Sequence, residues 1–516
     1  MNPTSVKTRF LVSVGANALR AVVSLCTGLL VARGLGPSGY GDLTYLLASF
    51  VAVRALLDLG SSNAFYTFIS RSPRNRTFYS MYFGWLLLQF TLSMLLVAVI
   101  FPQDVLQSIW LGHPRDLILY ALVASFMQQQ VWTTITQVGE SSRLTVKVQL
   151  LGLVVVAVHL GIVIALELTN LLSVKSVLAA IAAEYVTALV VATRLLRTPS
   201  PASAPETSVR EILGQYWRFC RPLIVIALTA FLYDFADKWL LQRFAGSSQQ
   251  GFYQIAAQLA AVSLLATTSI LNIFWKELAE ASAREDKARL ARLYNKVNRG
   301  LLVLGALISC FLIPWAKQLV MLLLGEAYQN SWPVLALMLL YPIHQSTGQV
   351  NATTFMACER TKEYMVIALI GQLAALPVSY FLLAAPTSTP FPGLGLGAYG
   401  LALKMVGVNI ILVNLQAWVI ARFNHWKFEW FYQLAAIVPL LLLGYLAKLT
   451  TDLLISTDPG TDPRLHLVAG LVIAGVLFAP CAAGLLWLQP RLAGFERDEI
   501  HALVAKLYPL LAARRS

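Results

Sequence analysis

"LLVARGLGPSGYGDLTYLLASFVAV" (residues 29–53) and "WLLQRFAGSSQQGFYQIAAQLAAV" (residues 239–262) are two versions of one pattern. In each, an apolar run ends at an arginine, Arg33 or Arg243, and a glycine follows three residues later, Gly36 or Gly246. A short polar and small-residue turn comes next. Then a glycine and an aromatic, Gly39-Tyr40 or Gly251-Phe252, open a second apolar run. Glycine, proline and serine clustered between long apolar runs mark a tight reversal. Gly246 follows Gly36 by 210 residues. Self-similarity recurs downstream: "SIWLGHPRDLILYAL" (108–122) matches "MLLLGEAYQNSWPVLAL" (321–337), and "VGESSRLT" (138–145) matches "ACERTKEY" (357–364). The chain therefore contains an internal duplication.

The duplicated unit is built for a membrane. Of 516 residues, 58% are hydrophobic and only 12% charged. A soluble chain carries roughly 25% charged residues, so too few are present to clothe a soluble surface. A spanning helix needs about 20 mostly apolar residues. Fourteen windows qualify: 10–32, 42–63, 78–101, 117–138, 147–168, 175–195, 219–241, 252–274, 299–321, 333–357, 364–385, 399–421, 431–452 and 466–488. Their unbroken length argues for helices over barrel strands, which would alternate in segments of about ten residues. The opening "MNPTSVKTRF" puts basic residues before an apolar run that continues to Val31 without a persuasive cleavage site, and reads as an uncleaved first span.

Charge orients the spans. The net charge is +14. With the N-terminus in the cytoplasm, most Lys and Arg fall in cytoplasmic connections, as the positive-inside rule requires. Arg71, Arg74 and Arg76 follow span 2, and Arg194, Arg197, Arg210, Arg218 and Arg221 lie between spans 6 and 7. An even number of spans returns the C-terminus to the cytoplasm. The excess of positive charge is thus used in topology and gives no reason to expect nucleic acid.

The expected fold class is an all-α polytopic membrane protein of about 14 transmembrane helices: two parallel-repeat six-helix lobes plus two C-terminal helices. The boundaries read as an N-terminal lobe over 1–196, a cytoplasmic linker over 197–217 rich in Pro, Ser and Ala, and a second lobe over 218–422. Two added helices occupy 423–490, and a cytoplasmic amphipathic tail occupies 491–516. Six spans per lobe give both copies the same orientation, related by an axis along the membrane normal, an arrangement used by transporters that rock between two open states. Residues 276–298, with Leu278, Leu290, Leu293 and Val297, and residues 495–513, with Ile500, Leu503, Val504 and Leu507, read as amphipathic segments on the inner membrane surface.

Several chemistries are disfavoured. The five cysteines (Cys26, Cys220, Cys310, Cys358, Cys481) have no metal-like spacing and suggest neither a disulfide framework nor a metal site. "APTSTPFPGLGLGAYG" (385–400) is glycine-rich, but no strand precedes it, so a flexible turn is favoured over a phosphate cradle. No Walker motif and no nucleophile–base constellation stands out, and no outer connection exceeds roughly 20 residues. The chain reads as a transporter, not an enzyme.

Ionisable groups at membrane depth are costly and are candidates for function. Arg20, Arg54, Lys238 and Lys404 are cations able to hold an anionic group, the arginines through a planar fork that suits phosphate oxygens. Asn17, Gln128, Gln129 and Trp132 offer amides for hydroxyl groups and an indole face for stacking. Asp58, Asp234, Asp237 and Glu184 are carboxylates able to carry H⁺ or Na⁺, and an ion gradient is the expected energy source with no other cofactor. Bland alternatives stand beside these. Arg54 with Asp58, and Asp234 with Lys238, are i,i+4 pairs that could simply neutralise each other. Lys404 could snorkel to an outer boundary. His159 and His344 read first as packed, hydrogen-bonded side chains. "MQQQVWTT" (127–134) could equally hold helices together.

"ARGLGPSGYGDL" (32–43), "DLGSSNAFYTFISR" (58–71), "LLGEAYQNSWPVL" (323–335) and "GLGAYGLA" (395–402) resemble the polysaccharide transport family of oligosaccharide-lipid flippases. That family sits in a superfamily with multidrug extruders and the lipid II flippase. The resemblance covers spans 1–12 well and the last two loosely. It implies movement of an undecaprenyl-pyrophosphate-linked oligosaccharide (an O-antigen or exopolysaccharide repeat unit) from the cytoplasmic to the outer leaflet of the bacterial inner membrane. The implied partners are the lipid-linked substrate and membrane lipids, with a polysaccharide polymerase and a chain-length regulator left open and no nucleic acid. By resemblance to the lipid II flippase, arginines of the N-terminal spans, Arg20 first and Arg54 next, are headgroup ligands. A cation-coupled multidrug exporter and a lipid II-type flippase are the rival readings, and a membrane scaffold for a polymerase is a more distant one.

Overall fold

A computed structural model describes residues 6–196, 208–264, 271, 274, 277–455, 463–496 and 498–499. Among these residues the chain is helical, with no strand. Helices satisfy every backbone polar group within one segment, which lipid demands. Ten helices among the described residues are long and apolar enough to cross a membrane. The sequence marks fourteen windows, and the difference lies in how helices break. Gly15–Asp58 is 44 residues long and holds two windows on either side of Gly36. The 117–138 window is interrupted by a π-helical turn, Phe126–Val131, between Arg115–Ser125 and Trp132–Ser141. The 333–357 window is split between Trp332–Met338 and Tyr341–Ala357. The 252–274 window runs on into residues outside the described set.

The duplication is visible in the backbone. Gly36 has φ 67° and ψ 175°, and Gly246 has φ 82° and ψ 175°. Gly112 and Gly325, in the second matched pair, have φ 87° and 85°. The third pair repeats a whole turn. Arg143 and Glu359 both take positive φ, 59° and 57°. The amide of Leu144 donates to the Gly139 carbonyl at 2.7 Å, and that of Arg360 to the Phe355 carbonyl at 2.8 Å.

The chain packs as two compact units, Met1–Ile255 with Gln372–Leu401, and Ala256–Gly371 with Ala402–Ser516. In the first, the kinked Val6–Asp58 run lies along Thr145–Leu168 and Ile224–Ala245. Its corner meets the matching corner of the second repeat: Asp42 accepts from Gln242 Nε2 at 3.2 Å and from Ser247 Oγ at 2.5 Å. Helix Ile224–Ala245, the first of the second repeat, thus packs with the first repeat. An aromatic cluster (Phe65, Phe68, Phe78, Tyr82) closes the far end of this unit around Ile212. Ile212 belongs to Val209–Cys220, a helix capped by Ser208, which accepts from the Glu211 amide. The linker is therefore partly helical, and its residues 197–207 lie outside the described set.

In the second unit, Lys287–Leu312 packs on Tyr341–Ala357 and on Phe431–Leu454, which in turn lies against Pro463–Leu488. A Cβ on Gly444 would stand 2.2 Å from the Cys310 carbonyl oxygen, so this crossing needs a glycine. The expectation of a surface-lying helix over 276–298 is corrected here. Lys287–Leu312 is one continuous helix whose N-cap, Asp286, accepts from the Arg289 amide at 2.9 Å. Leu278 and Leu290 are buried with Phe274, Tyr294 and Phe355. The apolar stripe is protein core, not membrane contact. In the C-terminal tail, Pro490–Ala493 forms a short turn, while Ile500, Leu503, Val504 and Leu507 lie outside the described residues.

Candidate functional site

The π-helical turn Phe126–Val131 is the hub of the first unit's polar interior. A π turn widens a helix by one residue, and such turns recur at functional sites. Here it presents three consecutive glutamines, Gln128, Gln129 and Gln130.

Arg54 lies on one side. Its Nη1 donates to Gln130 Oε1 at 3.0 Å and to the Gln129 carbonyl at 3.3 Å. The amide nitrogen of Gln130 points to Ser62 Oγ at 3.2 Å and Asp58 Oδ1 at 3.4 Å. Gln130 is fully buried. It bridges Arg54 and Asp58 with a neutral amide, so the i,i+4 neutralisation that the sequence left open is replaced by a relay through a second helix. Asp58 Oδ1 also accepts from Ser61 Oγ at 2.9 Å and from the Ser62 amide at 3.1 Å.

Arg20 lies on the other side. Its Nη2 donates to Gln149 Oε1 at 2.7 Å, while its Nε is buried with no hydrogen-bond partner among the described residues. Gly152 makes room for it. A Cβ there would fall 2.8 Å from Arg20 Nη2 and 3.1 Å from the Trp132 ring. Trp132 in turn meets the Tyr185 ring edge-on at 5.7 Å, and the Tyr185 hydroxyl engages Gln128. Arg20, Trp132, Gln128 and Gln149 therefore form one neighbourhood, and Arg54, Gln129, Gln130 and Asp58 form the adjoining one. Asn17, one helical turn from Arg20, is exposed. Beyond the hub, Met127, Val131 and Thr134 line an apolar cavity of about 530 Å³ whose other walls include Phe83, Leu87 and Leu189.

The carboxylates separate. Glu184, 7% exposed, holds His159: Nδ1 stands 3.0 Å from Oε1 and 2.9 Å from Oε2. Asp237 is buried and accepts from Ser379 Oγ at 2.6 Å. On the same helix Asp234 is exposed, and Lys238 Nζ stands 4.4 Å from the centre of the Tyr253 ring. Lys404 belongs to the second unit and is 1% exposed. A snorkelling lysine would keep its ammonium at the protein's surface, so that reading is corrected: this side chain is enclosed. His344 is packed as expected, its Nε2 3.1 Å from Gln433 Oε1, with Gln433 donating to Asn414 Oδ1 at 2.7 Å.

Three partners escaped the sequence reading. Gln130 was the unselected member of a run already singled out, and Gln149 is a lone amide in a strongly apolar helix. Ser379 left no signal, because a serine among apolar residues is commonplace. Among the described residues no cluster of His, Cys, Asp and Glu could hold a metal ion.

A many-spanned helical bundle with duplicated corners and charges gathered around a glutamine hub defines an integral membrane protein. The chain belongs to the polysaccharide biosynthesis protein family, whose profile matches residues 6–274. No curated protein matches the sequence. Among solved structures it is similar to the lipid II flippase MurJ in an inward closed conformation, with TM-score 0.66 and 13% identity over 92% of this chain and all of that one. It is also similar to an inward-facing multidrug resistance MATE transporter of the MOP superfamily, with TM-score 0.58 and 14% identity over 79% of this chain and 96% of that one. A MOP superfamily transporter from Pyrococcus furiosus matches with TM-score 0.53 and 14% identity, over 82% and 96% of the two chains.

Proposed function

We propose that this protein flips undecaprenyl-pyrophosphate-linked oligosaccharide repeat units from the cytoplasmic to the outer leaflet of the bacterial inner membrane. Transport proceeds by alternating access and draws on an ion gradient, with both termini in the cytoplasm. Membership of a polysaccharide biosynthesis family supports the substrate class. The observation that carries the reading is the glutamine hub. Arg20 and Arg54 are held on either side of one π turn by amides, not by carboxylates that would cancel their charge. Two cations kept available in a half-buried site suit a pyrophosphate. An apolar cavity beside the same turn suits the lipid that carries it. Trp132, Gln128, Gln129 and Asn17 are our candidates for the sugar contacts. Lys238 and Lys404 are the second-repeat candidates for the headgroup. Of the carboxylates Asp58, Asp234, Asp237 and Glu184, we assign proton coupling to Glu184, because an imidazole within 3.0 Å offers a second acceptor on the same path.

The test is deletion followed by analysis of lipid-linked intermediates. The flippase reading expects undecaprenyl-linked glycan to accumulate on the cytoplasmic side. Normal glycan export together with raised drug sensitivity would instead establish an exporter.

A further inference from the structure

A second cavity of the first unit, about 430 Å³, lies between Val209–Cys220 and the helices Ser61–Arg71 and Arg76–Leu95. This is the size of a small-molecule site. Its walls are apolar and aromatic, including Tyr82, Trp85, Tyr216 and Trp217, with one charged residue, Asp58.

Two acceptors there are unused. All four hydrogen bonds that Asp58 accepts from the described residues (Ser61 Oγ, Ser62 N, Ser62 Oγ and Gln130 Nε2) go to Oδ1, and none to Oδ2. The Tyr216 hydroxyl is buried with no hydrogen-bond partner among the described residues. A buried hydroxyl left without a partner is costly. The aromatic walls add faces that attract a cation. Trp85 is fixed among them, its Nε1 donating to Ser61 Oγ at 3.1 Å.

We propose that this cavity binds the protonated primary ammonium of a phospholipid headgroup of the ethanolamine type, with the ammonium between Asp58 Oδ2 and Tyr216. A primary ammonium carries three N–H donors, enough for both acceptors, whereas a trimethylammonium has none. The lipid source follows from the mouth of the cavity. Trp217 is 61% exposed and Trp85 38%. Exposed indoles take up headgroup depth in a bilayer. The wall helix also has an interfacial character, burying Ile212 while exposing Arg210, Glu211 and Arg218. Such a lipid would brace the segment joining the two repeats. This site does not rest on the transport reading, and its test needs no transport.

The test is native mass spectrometry of the detergent-purified full chain, titrated with lysophosphatidylethanolamine, lysophosphatidylcholine, lysophosphatidylglycerol and dodecylamine. Saturable binding of the ethanolamine lipid is expected, about tenfold or more tighter than the choline and glycerol lipids. Asp58→Asn should weaken it about tenfold or more, and Tyr216→Phe, which keeps the ring and its packing, by at least about threefold. Binding of dodecylamine alone would overturn the lipid as occupant and leave a free lipophilic amine. Equal binding of the choline lipid, or affinity untouched by Tyr216→Phe, would overturn the site.

Discussion

Gly36 and Gly246, 210 residues apart, hold the same backbone conformation, with φ of 67° and 82° and ψ of 175° at both. Positive φ with ψ near 180° is accessible essentially to glycine alone, and another residue held there costs about 1–3 kcal/mol. At neither position would a Cβ meet any atom within 4 Å. The penalty is therefore conformational, not steric. Gly36→Ala and Gly246→Ala should each lower thermal stability in detergent, and by similar amounts. Gly15, also with open space around its Cβ direction but inside a helix, is the control, because alanine there favours the helix. Equal melting temperatures for Gly36→Ala and Gly15→Ala would remove the argument.

The two corners also touch. A Cβ on Gly41 would lie 1.8 Å from the Ser247 carbonyl oxygen, and one on Gly251 would lie 2.2 Å from that of Pro37. Backbone on both sides leaves nothing flexible to yield. Gly41→Ala and Gly251→Ala should each destabilise by about 1–3 kcal/mol or more through overpacking, with loss of the monodisperse peak in size-exclusion chromatography. A well-folded Gly41→Ala protein would show that the corners separate more easily than this spacing suggests.

The duplication was legible because its signature is local: an arginine, a positive-φ glycine and an aromatic at fixed offsets write one turn twice. Helix breaks were less so. Nothing in "FMQQQV" distinguishes a π turn from an α turn, since the difference of one hydrogen-bond register depends on what packs around it. The apolar stripe of 287–298 was seen, but periodicity cannot say whether a stripe meets lipid or protein. Arg54 and Asp58 looked like a pair because spacing along one helix is readable, while Gln130, which separates their charges, arrives from another helix. Candidates could be picked by chemistry, whereas their partners are a matter of tertiary packing.

Gln130 is the next position to test. Its amide oxygen accepts from Arg54 and its nitrogen reaches Ser62 and Asp58. Gln130→Leu preserves bulk and removes both functions, leaving a buried donor and acceptors unmade at about 1–3 kcal/mol each. Stability and transport should both fall. Gln130→Glu keeps the acceptor for Arg54 and adds a carboxylate beside Asp58, so it should hold Arg54 in place and still lose transport by neutralising its charge. Full transport by both variants would exclude the hub from the mechanism.

Arg20 separates charge from shape. Arg20→Ala should abolish transport with expression intact, and Arg20→Lys should retain only a fraction, since a lysine cannot offer the guanidinium's planar fork. Gln149→Ala should weaken transport less, because it frees Arg20 without removing it. Gly152→Val should resemble Arg20→Ala, because the added side chain occupies the space of Nη2. Accumulation of lipid-linked intermediate measures all four. Wild-type export by Arg20→Ala would take this residue out of the site.

The corner between the repeats should make stability depend on pH through His113, in the loop ahead of Arg115–Ser125. Its Nε2 lies 3.5 Å from Asp42 Oδ1, beside the Tyr45 ring, and Asp42 is the acceptor for Gln242 and Ser247. Burial pushes the imidazole below its ordinary value of 6.5, and the attraction of Asp42 only partly offsets this. The folded state therefore favours the neutral ring more than the unfolded chain does. The stability tied to that preference is fully present above pH 6.5 and is lost as pH falls below it, because the unfolded chain takes up the proton first. Melting temperatures recorded between pH 8 and pH 5 should fall more steeply for the wild type than for His113→Gln, which cannot titrate. Groups away from this corner contribute equally to both curves, so the difference reports the His113–Asp42 pair. Parallel curves would mean that Asp42 compensates the burial in full.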